Sequence, residues 1–179
     1  MLQKHLDLLD RLGTSSQVHI LGSLRNHLIG TYKVLVEWGN PEYIAVGGLF
    51  HSIYGTQTFK VPSISLEERS RIREAIGLDA ENLAYLFCVT ERQGFFYEAE
   101  KPEPILWDCV HHQLISTTPQ TIRDLIEIEV ANAIELRSLP MAEHPHILSR
   151  RKHMLTRSLS YMSPAARVAF VEMMAELKE

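Results

Sequence analysis

Histidine is the residue type whose number and placement in this chain most suggest chemistry. Nine histidines occur in 179 residues, and one of them, His51, lies in the stretch GGLFHSIYGT at positions 47–56. An apolar stretch of this kind predicts a buried helix, where an unsatisfied imidazole is costly. Gly47 and Gly48 leave room for a neighbouring helix to approach closely. Because imidazole is a common metal ligand and acid–base group, His51 is the first candidate for an internal site.

A second histidine has a similar setting on another predicted helix. At 100° per residue, His27 falls at the edge of an apolar stripe that contains Leu24, Leu28 and Thr31. The stripe predicts that His27 turns toward the core of the protein.

The helix predicted after Thr118 places two polar residues, Glu129 and Asn132, on its apolar stripe. A carboxylate that faces a core must be paired, protonated or bound to a metal, because desolvating it bare costs several kcal/mol. Helical domains build metal and acid–base sites from inward polar side chains on separate helices. Together with His27 and His51, the inward-facing Glu129 and Asn132 therefore predict one such site. The other acids of this helix are predicted to point the opposite way: Asp124, Glu127 and Glu135.

Each of these residues also has an ordinary structural interpretation. A buried histidine usually hydrogen-bonds to a backbone carbonyl, which is the commoner explanation for either His27 or His51 taken alone. Glu129 could pair with an arginine such as Arg73 or Arg123. Solvated or surface positions are predicted for His19, His111, His112, His144, His146 and residues 150–152.

Capping residues and periodicity predict a mostly helical chain. Caps of Ser, Thr, Asp or Asn and terminating glycines are the main signals, together with prolines at first helical positions. The stretch 92–117 alternates and is rich in aromatic residues, so a small β-hairpin is predicted there. No repeat or linker divides residues 1–179, and a single domain is predicted. Helices are expected at residues 2–12, 14–37, 41–53, 65–77, 80–89, 118–136 and 163–179.

Composition and charge limit the kinds of binding partner and the cellular compartment that are expected for this protein. The formal net charge of −4 and the sequence pI of about 6.1 give no general attraction to nucleic acid or to an anionic membrane. No stretch approaches the roughly 18 apolar residues of a membrane-spanning helix, and the first residues do not resemble a signal peptide. Cys88 and Cys109 are too few for a disulfide framework. A cytoplasmic protein with a small-molecule ligand or substrate is expected, and homo-oligomerisation is left open.

The motifs around the two histidines resemble those of the HD-domain superfamily. NHLIGTYKVLVEWGNPE and GGLFHSIYGT, and more loosely VANAIE, are similar to an uncharacterised bacterial HD-like family that carries HLxGTYxLLxxWG and LFHSxYGT. The resemblance implies an all-α, HD-domain-like helical bundle that binds one or two metal ions. By position, His27 corresponds to the first ligand and His51 to the histidine of the His-Asp doublet. Phosphohydrolases, alarmone hydrolases and di-iron oxygenases similar to myo-inositol oxygenase belong to this superfamily.

Two positions depart from the ligand set of the superfamily. Ser52 stands where the doublet has aspartate, and Asn132 stands where the last aspartate is expected. Neutral side chains are poor ligands for a hard cation. The resemblance thus implies a degenerate site that suits a divalent transition metal (Fe, Zn or Mn) better than Mg. The predicted metal ligands are His27, His51, Glu129 and Asn132.

The remaining site residues are assigned around this metal. Glu129 is predicted as a ligand or general base, and Tyr54 as a hydroxyl donor to the cleft, with packing of its ring in the core as the alternative. Ligand contacts are predicted for His19, Ser52 and Thr56. Two functional classes follow. One is a metal-dependent hydrolase or iron oxygenase acting on a small anionic molecule, and the other is a non-catalytic binding or regulatory protein.

Overall fold

The computed structural model describes residues 2–19, 22–57, 59–136 and 156–176. These residues form eight α-helices and two small antiparallel strand pairs, which confirms the predicted all-α class with a small hairpin. The helices are α1 Leu2–Arg11, α2 Leu24–Glu37, α3 Glu42–Leu49, α4 Arg69–Ile76, α5 Leu78–Val89, α6 Arg92–Glu98, α7 Pro119–Glu135 and α8 Pro164–Glu176. The strands are β1 Val18–His19, β2 Gly22–Ser23, β3 Ile105–Asp108 and β4 Gln113–Ser116.

Helix α2 begins later than the predicted residue 14. Thr14 is used instead to end α1, since its hydroxyl donates to the Leu9 carbonyl at 2.9 Å. The β1–β2 pair follows, and Ser23 then caps α2 by accepting a hydrogen bond from the Asn26 amide at 3.3 Å. The predicted apolar stripe is confirmed where the helix exists, because Leu24, Leu28, Thr31 and Leu35 are all fully buried.

Helix α3 ends at Leu49, four residues earlier than predicted, and turns occupy residues 50–54. The two glycines of α3 confirm the expected close packing. A Cβ atom at Gly48 would collide with Leu35 of α2, and one at Gly47 would lie 3.1 Å from Leu83 Cβ of α5. Because Gly48 has no side chain, α2 can pack closely against α3, and Gly47 allows the same for α5. The close approach of α2 brings His51 near that helix.

Helix α7 is surrounded by other helices, and the prediction that three of its acids point outward is wrong. Asp124 and Glu127 are each 4% exposed. Asp124 accepts a hydrogen bond from the Tyr43 hydroxyl at 2.9 Å, and Glu127 accepts one from the Ser163 hydroxyl at 2.5 Å. Glu135 lies against α2. Because α2, α3, α5, α6 and α8 all contact α7, these carboxylates meet donors from neighbouring elements rather than water.

The region 92–117 is a helix followed by a hairpin, so the predicted hairpin is confirmed only for its second half. Helix α6 buries Phe95 and Phe96 in the core, which explains why aromatic residues there do not belong to a strand. Strands β3 and β4 then pair with Trp107 opposite Leu114. Predicted features at His144, His146, residues 150–152 and residues 177–179 lie outside the described residues. None of the described helices combines the length and the apolar character that crossing a membrane requires.

Buried Asp108 fixes the turn between β3 and β4. Its carboxylate accepts hydrogen bonds from the amides of Val110 and His111 at 2.8 and 2.9 Å, from the His111 ring at 2.8 Å and from the Tyr85 hydroxyl at 2.9 Å. Burial opposes ionisation of Asp108, but these hydrogen bonds outweigh it and lower its pKa from 3.8 to about 2. The ionised carboxylate therefore stabilises the fold above pH ~4, and this contribution is lost as the pH falls toward 2.

Asp108→Asn should lower the free energy of unfolding at neutral pH by about 2 kcal/mol. It should also flatten the loss of stability between pH 4 and 2, because the titrating group is gone. Urea unfolding at a series of pH values measures both effects, and Glu103→Gln at an exposed position is the control. An acid limb with the wild-type slope in Asp108→Asn would show that other groups cause it.

Candidate functional site

His27 and His51 form a buried pair, as the apolar stripe around His27 and the apolar run before His51 predict. The Nε2 atoms of the two rings are 3.2 Å apart, and the residues are only 3% and 1% exposed. His27 comes from α2, and His51 lies two residues beyond the end of α3. The edge of the pair is closed by α5, where the Cys88 thiol donates to the His51 carbonyl at 3.1 Å and the Phe87 ring lies 5.0 Å from the His51 ring. The predicted proximity of the histidines is confirmed.

The Nδ1 atom of each ring has its own hydrogen-bond acceptor. His51 Nδ1 donates to the Gly48 carbonyl at 2.7 Å, and His27 Nδ1 donates to the carboxylate of Glu135. Burial, and then the charge of His27, hold the pKa of His51 well below its usual value, although the bond to Gly48 acts in the opposite direction. His51 is therefore neutral, with its proton on Nδ1 and a lone pair on Nε2. That lone pair points at His27.

His19 extends the pair into a cluster of three imidazoles. The rings of His19 and His27 are stacked, with centroids 4.2 Å apart and planes 13° from parallel. The Nδ1 atom of His19 is buried and has no hydrogen-bond partner among the described residues. Burial and the neighbouring charge of His27 lower the pKa of His19 to about 4. His19 was predicted to be solvated but is half-buried, because this residue ends β1 and β1 folds against α2.

Glu135 is the site residue that sequence reasoning missed. Its carboxylate holds the His27 ring, and its side chain is 16% exposed. Gly30, one turn after His27, provides the space, since a Cβ atom there would lie 2.5 Å from Glu135 Cγ. A glycine in the middle of a helix, one turn from a candidate ligand, is the signal in the sequence that could have indicated an approaching side chain.

Glu129 and Asn132 form a second buried group on α7. The Asn132 side-chain amide donates to Glu129 Oε2 at 3.1 Å, and Arg92 Nη1 lies 3.5 Å from the same oxygen. The guanidinium of Arg92 also covers the Phe87 ring, with 4.8 Å between its Cζ atom and the ring centroid. Glu129 thus pairs with an arginine, as one interpretation expected, but with Arg92 of α6 rather than with Arg73 or Arg123.

The other three predicted residues follow His51 in the chain. Tyr54 donates its hydroxyl to Glu81 Oε1 at 3.1 Å, and burial with the nearby carboxylate raises its pKa. Thr56 closes a turn with Phe59. The Thr56 amide donates to the Phe59 carbonyl at 2.6 Å, and the Phe59 amide donates to the Thr56 hydroxyl at 3.0 Å. Ser52 is buried in the preceding turn. The position of Tyr54 agrees with the alternative of a ring packed in the core.

Glu81 is completely buried and collects donors from three side chains. Arg69 contacts both of its carboxylate oxygens, at 2.7 and 3.0 Å, and Arg73 reaches Oε2 at 3.2 Å. The Arg69 guanidinium lies 3.3 Å above the centroid of the Tyr85 ring. The third donor is Tyr54, so this cluster fixes the segment that follows His51.

The histidine cluster fits a transition metal in part. In the described part of the chain, no group of three or more His, Cys, Asp or Glu side chains is arranged to hold an ion. Two imidazole ligands on a tetrahedral ion with ~2.1 Å bonds are ~3.4 Å apart, close to the 3.2 Å between the two Nε2 atoms. Metal-bound histidines commonly donate their other N–H to a carboxylate or carbonyl, as both rings do here. An all-imidazole donor set does not suit Mg²⁺.

Comparison with known proteins finds a match to one family model over part of the chain and indicates no activity. No curated protein and no solved structure matches. Residues 8–92, slightly less than half of the chain, match a family described as a domain of unknown function, DUF6817. The imidazole cluster and Arg92 fall within this matched segment, whereas Glu129, Asn132 and Glu135 lie beyond it.

Proposed function

We propose that this chain is an HD-like metalloprotein in which His27 and His51 bind one transition metal ion through their Nε2 atoms. The observation that carries the proposal is the pair of Nε2 atoms, 3.2 Å apart and buried, whose rings both donate through Nδ1. With both rings neutral, the two Nε2 lone pairs would face each other and repel, so either a proton or a metal ion has to lie between them. The carboxylate of Glu135 supplies a compensating negative charge next to His27.

The chain's own residues would orient and complete such a centre. Glu135 and the Gly48 carbonyl hold the two rings at fixed angles. His19 stacks on His27 and its Nδ1 lacks a partner among the described residues, so it is the candidate for a third ligand once its ring turns out of the stack. A bound ion would supply Lewis acidity toward a small anionic molecule and, if it is iron, redox chemistry. This supports the class of metal-dependent hydrolases and iron oxygenases.

A specific observation favours a second candidate, a non-catalytic protein that binds a small ligand. The carboxylate of Glu129 interacts with Asn132 and Arg92, and the hydroxyl of Tyr54 interacts with Glu81. Both groups assigned as catalytic thus already have protein partners. With these two groups engaged by the protein itself, the cluster is suited to binding or regulation.

Metal analysis of protein prepared without a histidine tag tests the proposal. We expect about one equivalent of Zn or Fe per chain, calorimetric binding of Zn²⁺ and Fe²⁺, and negligible binding of Mg²⁺. His51→Ala should weaken binding by ~100-fold or more, since it removes one of two protein ligands. His112→Ala, at an exposed turn position, is the control, and circular dichroism checks the fold of each variant.

The outcomes separate the two candidates. A chain that carries no metal and binds none, with the wild-type fold intact, would mean that a proton bridges the two rings and that the metalloprotein proposal is wrong. If metal binds, phosphate-ester hydrolysis or dioxygen consumption that His51→Ala abolishes favours the enzyme. Stoichiometric metal without turnover favours the binding protein.

A further inference from the structure

His5 is a buried histidine that does not belong to the imidazole cluster. It lies on α1 and is only 4% exposed, and its ring stands perpendicular to that of Phe50, with 6.0 Å between the centroids. No group of the described residues hydrogen-bonds to the His5 ring, and its nitrogens are not enclosed by protein. Buried polar side chains nearly always have a partner. The open nitrogens of His5 therefore call for one from outside the chain.

The open side of the His5 ring faces a cavity between α1, α3 and α4. The volume of this cavity is about 350 Å³, at the lower end of the ~300–1,000 Å³ that is typical of small-molecule sites. Val46 is 3% exposed and contributes an apolar wall. The Tyr43 hydroxyl donates to Asp124 at 2.9 Å, which fixes the Tyr43 ring as another wall. The lining residues are Lys4, His5, Glu42, Tyr43, Val46 and Ile76.

Two opposite charges flank the imidazole. Lys4 precedes His5 on α1, and Glu42 is the first residue of α3. Burial and then the charge of Lys4 lower the pKa of His5, whereas the charge of Glu42 acts in the opposite direction. The ring is therefore neutral at pH 7 and offers one N–H and one lone pair. No ion pair in the described part of the chain engages Lys4 or Glu42.

We propose that this cavity binds a small zwitterion, namely an α-amino acid with an apolar side chain. The ligand carboxylate contacts Lys4 and the N–H of His5, and the ligand ammonium group contacts Glu42. The ligand side chain packs on Val46 and Ile76. None of these residues belongs to the imidazole cluster, so this site does not depend on the proposed metal centre.

The two charges favour a zwitterion over a ligand with a single charge. An anion bound at Lys4 would have the carboxylate of Glu42 as a repulsive neighbour, and a cation bound at Glu42 would be repelled by Lys4. A zwitterion gives each protein charge an opposite partner. The apolar walls favour a ligand that also carries an apolar group, because a fully polar ligand would leave them in contact with water.

L-leucine is the probe, and NMR titration of the whole chain measures its binding. We expect a dissociation constant of ~0.1–1 mM, since the ligand is small, and chemical-shift changes centred on the amides around His5 and Glu42. Isocaproate lacks the ammonium group of leucine, and isoamylamine lacks the carboxylate. Each should bind at least ~10-fold more weakly than leucine, as loss of about 1.4 kcal/mol of binding free energy would give.

Three variants assign the contacts. His5→Phe keeps an aromatic ring beside Phe50 but removes both nitrogens, whereas Lys4→Met and Glu42→Gln each remove one charge and keep the length of the side chain. Each should weaken leucine binding by at least ~10-fold. Because the His5 ring satisfies no other group of the protein, His5→Phe should unfold at the same temperature as wild type or at a higher one.

Lys33→Met and Glu172→Gln, at exposed positions of α2 and α8, are the matched controls and should leave leucine binding unchanged. The proposal is overturned if leucine at tens of millimolar causes no shifts, or if the shifts lie away from the cavity. Equal affinity for leucine and for either analogue would overturn the zwitterion, and wild-type affinity in His5→Phe would overturn the site. If His5→Phe fails to fold, Lys4→Met and Glu42→Gln decide the question in the same way.

Discussion

Replacing Glu81 with alanine is expected to lower the free energy of unfolding by about 3 kcal/mol. Its carboxylate is 0% exposed and meets Arg69 through two hydrogen bonds, Arg73 through a third and the Tyr54 hydroxyl through a fourth. Breaking a buried ion pair by removing one partner costs 3–5 kcal/mol when the remaining charge stays buried. The Arg69 and Arg73 side chains are 24% and 42% exposed, so partial rehydration places the expected loss at the lower end.

Urea unfolding measures this effect, and two variants sharpen it. Glu74→Ala changes an exposed carboxylate of the neighbouring helix α4 and should alter stability by less than ~0.5 kcal/mol. Glu81→Gln keeps acceptor and shape but loses the charge, so it should fall between wild type and Glu81→Ala. A loss below ~1 kcal/mol in Glu81→Ala would mean that the two arginines find water or other partners at little cost.

Gly30→Ala is expected to weaken binding at the proposed metal site by roughly 10–100-fold while leaving the fold almost as stable as wild type. The new Cβ atom would lie 2.5 Å from Glu135 Cγ, so the flexible glutamate must swing away from His27. Partners that orient a metal-bound histidine are worth about this factor in affinity. Alanine is also a better helix former than glycine by about 1 kcal/mol, which offsets the cost of moving Glu135.

A double-mutant cycle distinguishes this mechanism from a general disturbance of α2. Glu135→Ala should reproduce the loss of affinity, and adding Gly30→Ala to it should weaken binding no further, because both act through one contact. Lys33→Ala, on the exposed side of α2, is the control for helix composition. Calorimetric titration with Zn²⁺ gives the affinities. Unchanged affinity in Gly30→Ala would show that Glu135 does not orient His27.

Helical periodicity predicted the part of the site that depends on one helix at a time. The apolar stripe of α2 placed His27 at the core, and the uncharged run before His51 placed that residue in the interior. Both residues are buried as predicted: His27 by the phase of α2, and His51 by the apolar run before it, although His51 lies in a turn after α3 rather than on the predicted helix. The apolar stripe of α7 also predicts that Glu129 and Asn132 face the core, and both are buried.

Periodicity could not predict what covers the other side of a helix. An acidic face normally faces water, and for that reason the periodicity predicts that Glu135, Asp124 and Glu127 all point away from the core. The structure surrounds α7 with five other helices, so all three acids meet donors. His19 was misplaced for a related reason, because a helix over 14–37 gives no indication of a two-strand turn before Ser23.

The contact between Cys88 and the His51 carbonyl makes this thiol a reporter of local opening. Burial raises the pKa of Cys88 to about 12, and the residue is 6% exposed. At neutral pH its sulfur is a protonated thiol, and oxidants and alkylating reagents react with thiolates. Modification of Cys88 therefore has to wait until α5 moves away from the segment that carries His51. In native protein the labelling rate of this thiol gives the opening free energy of the core beside the histidines.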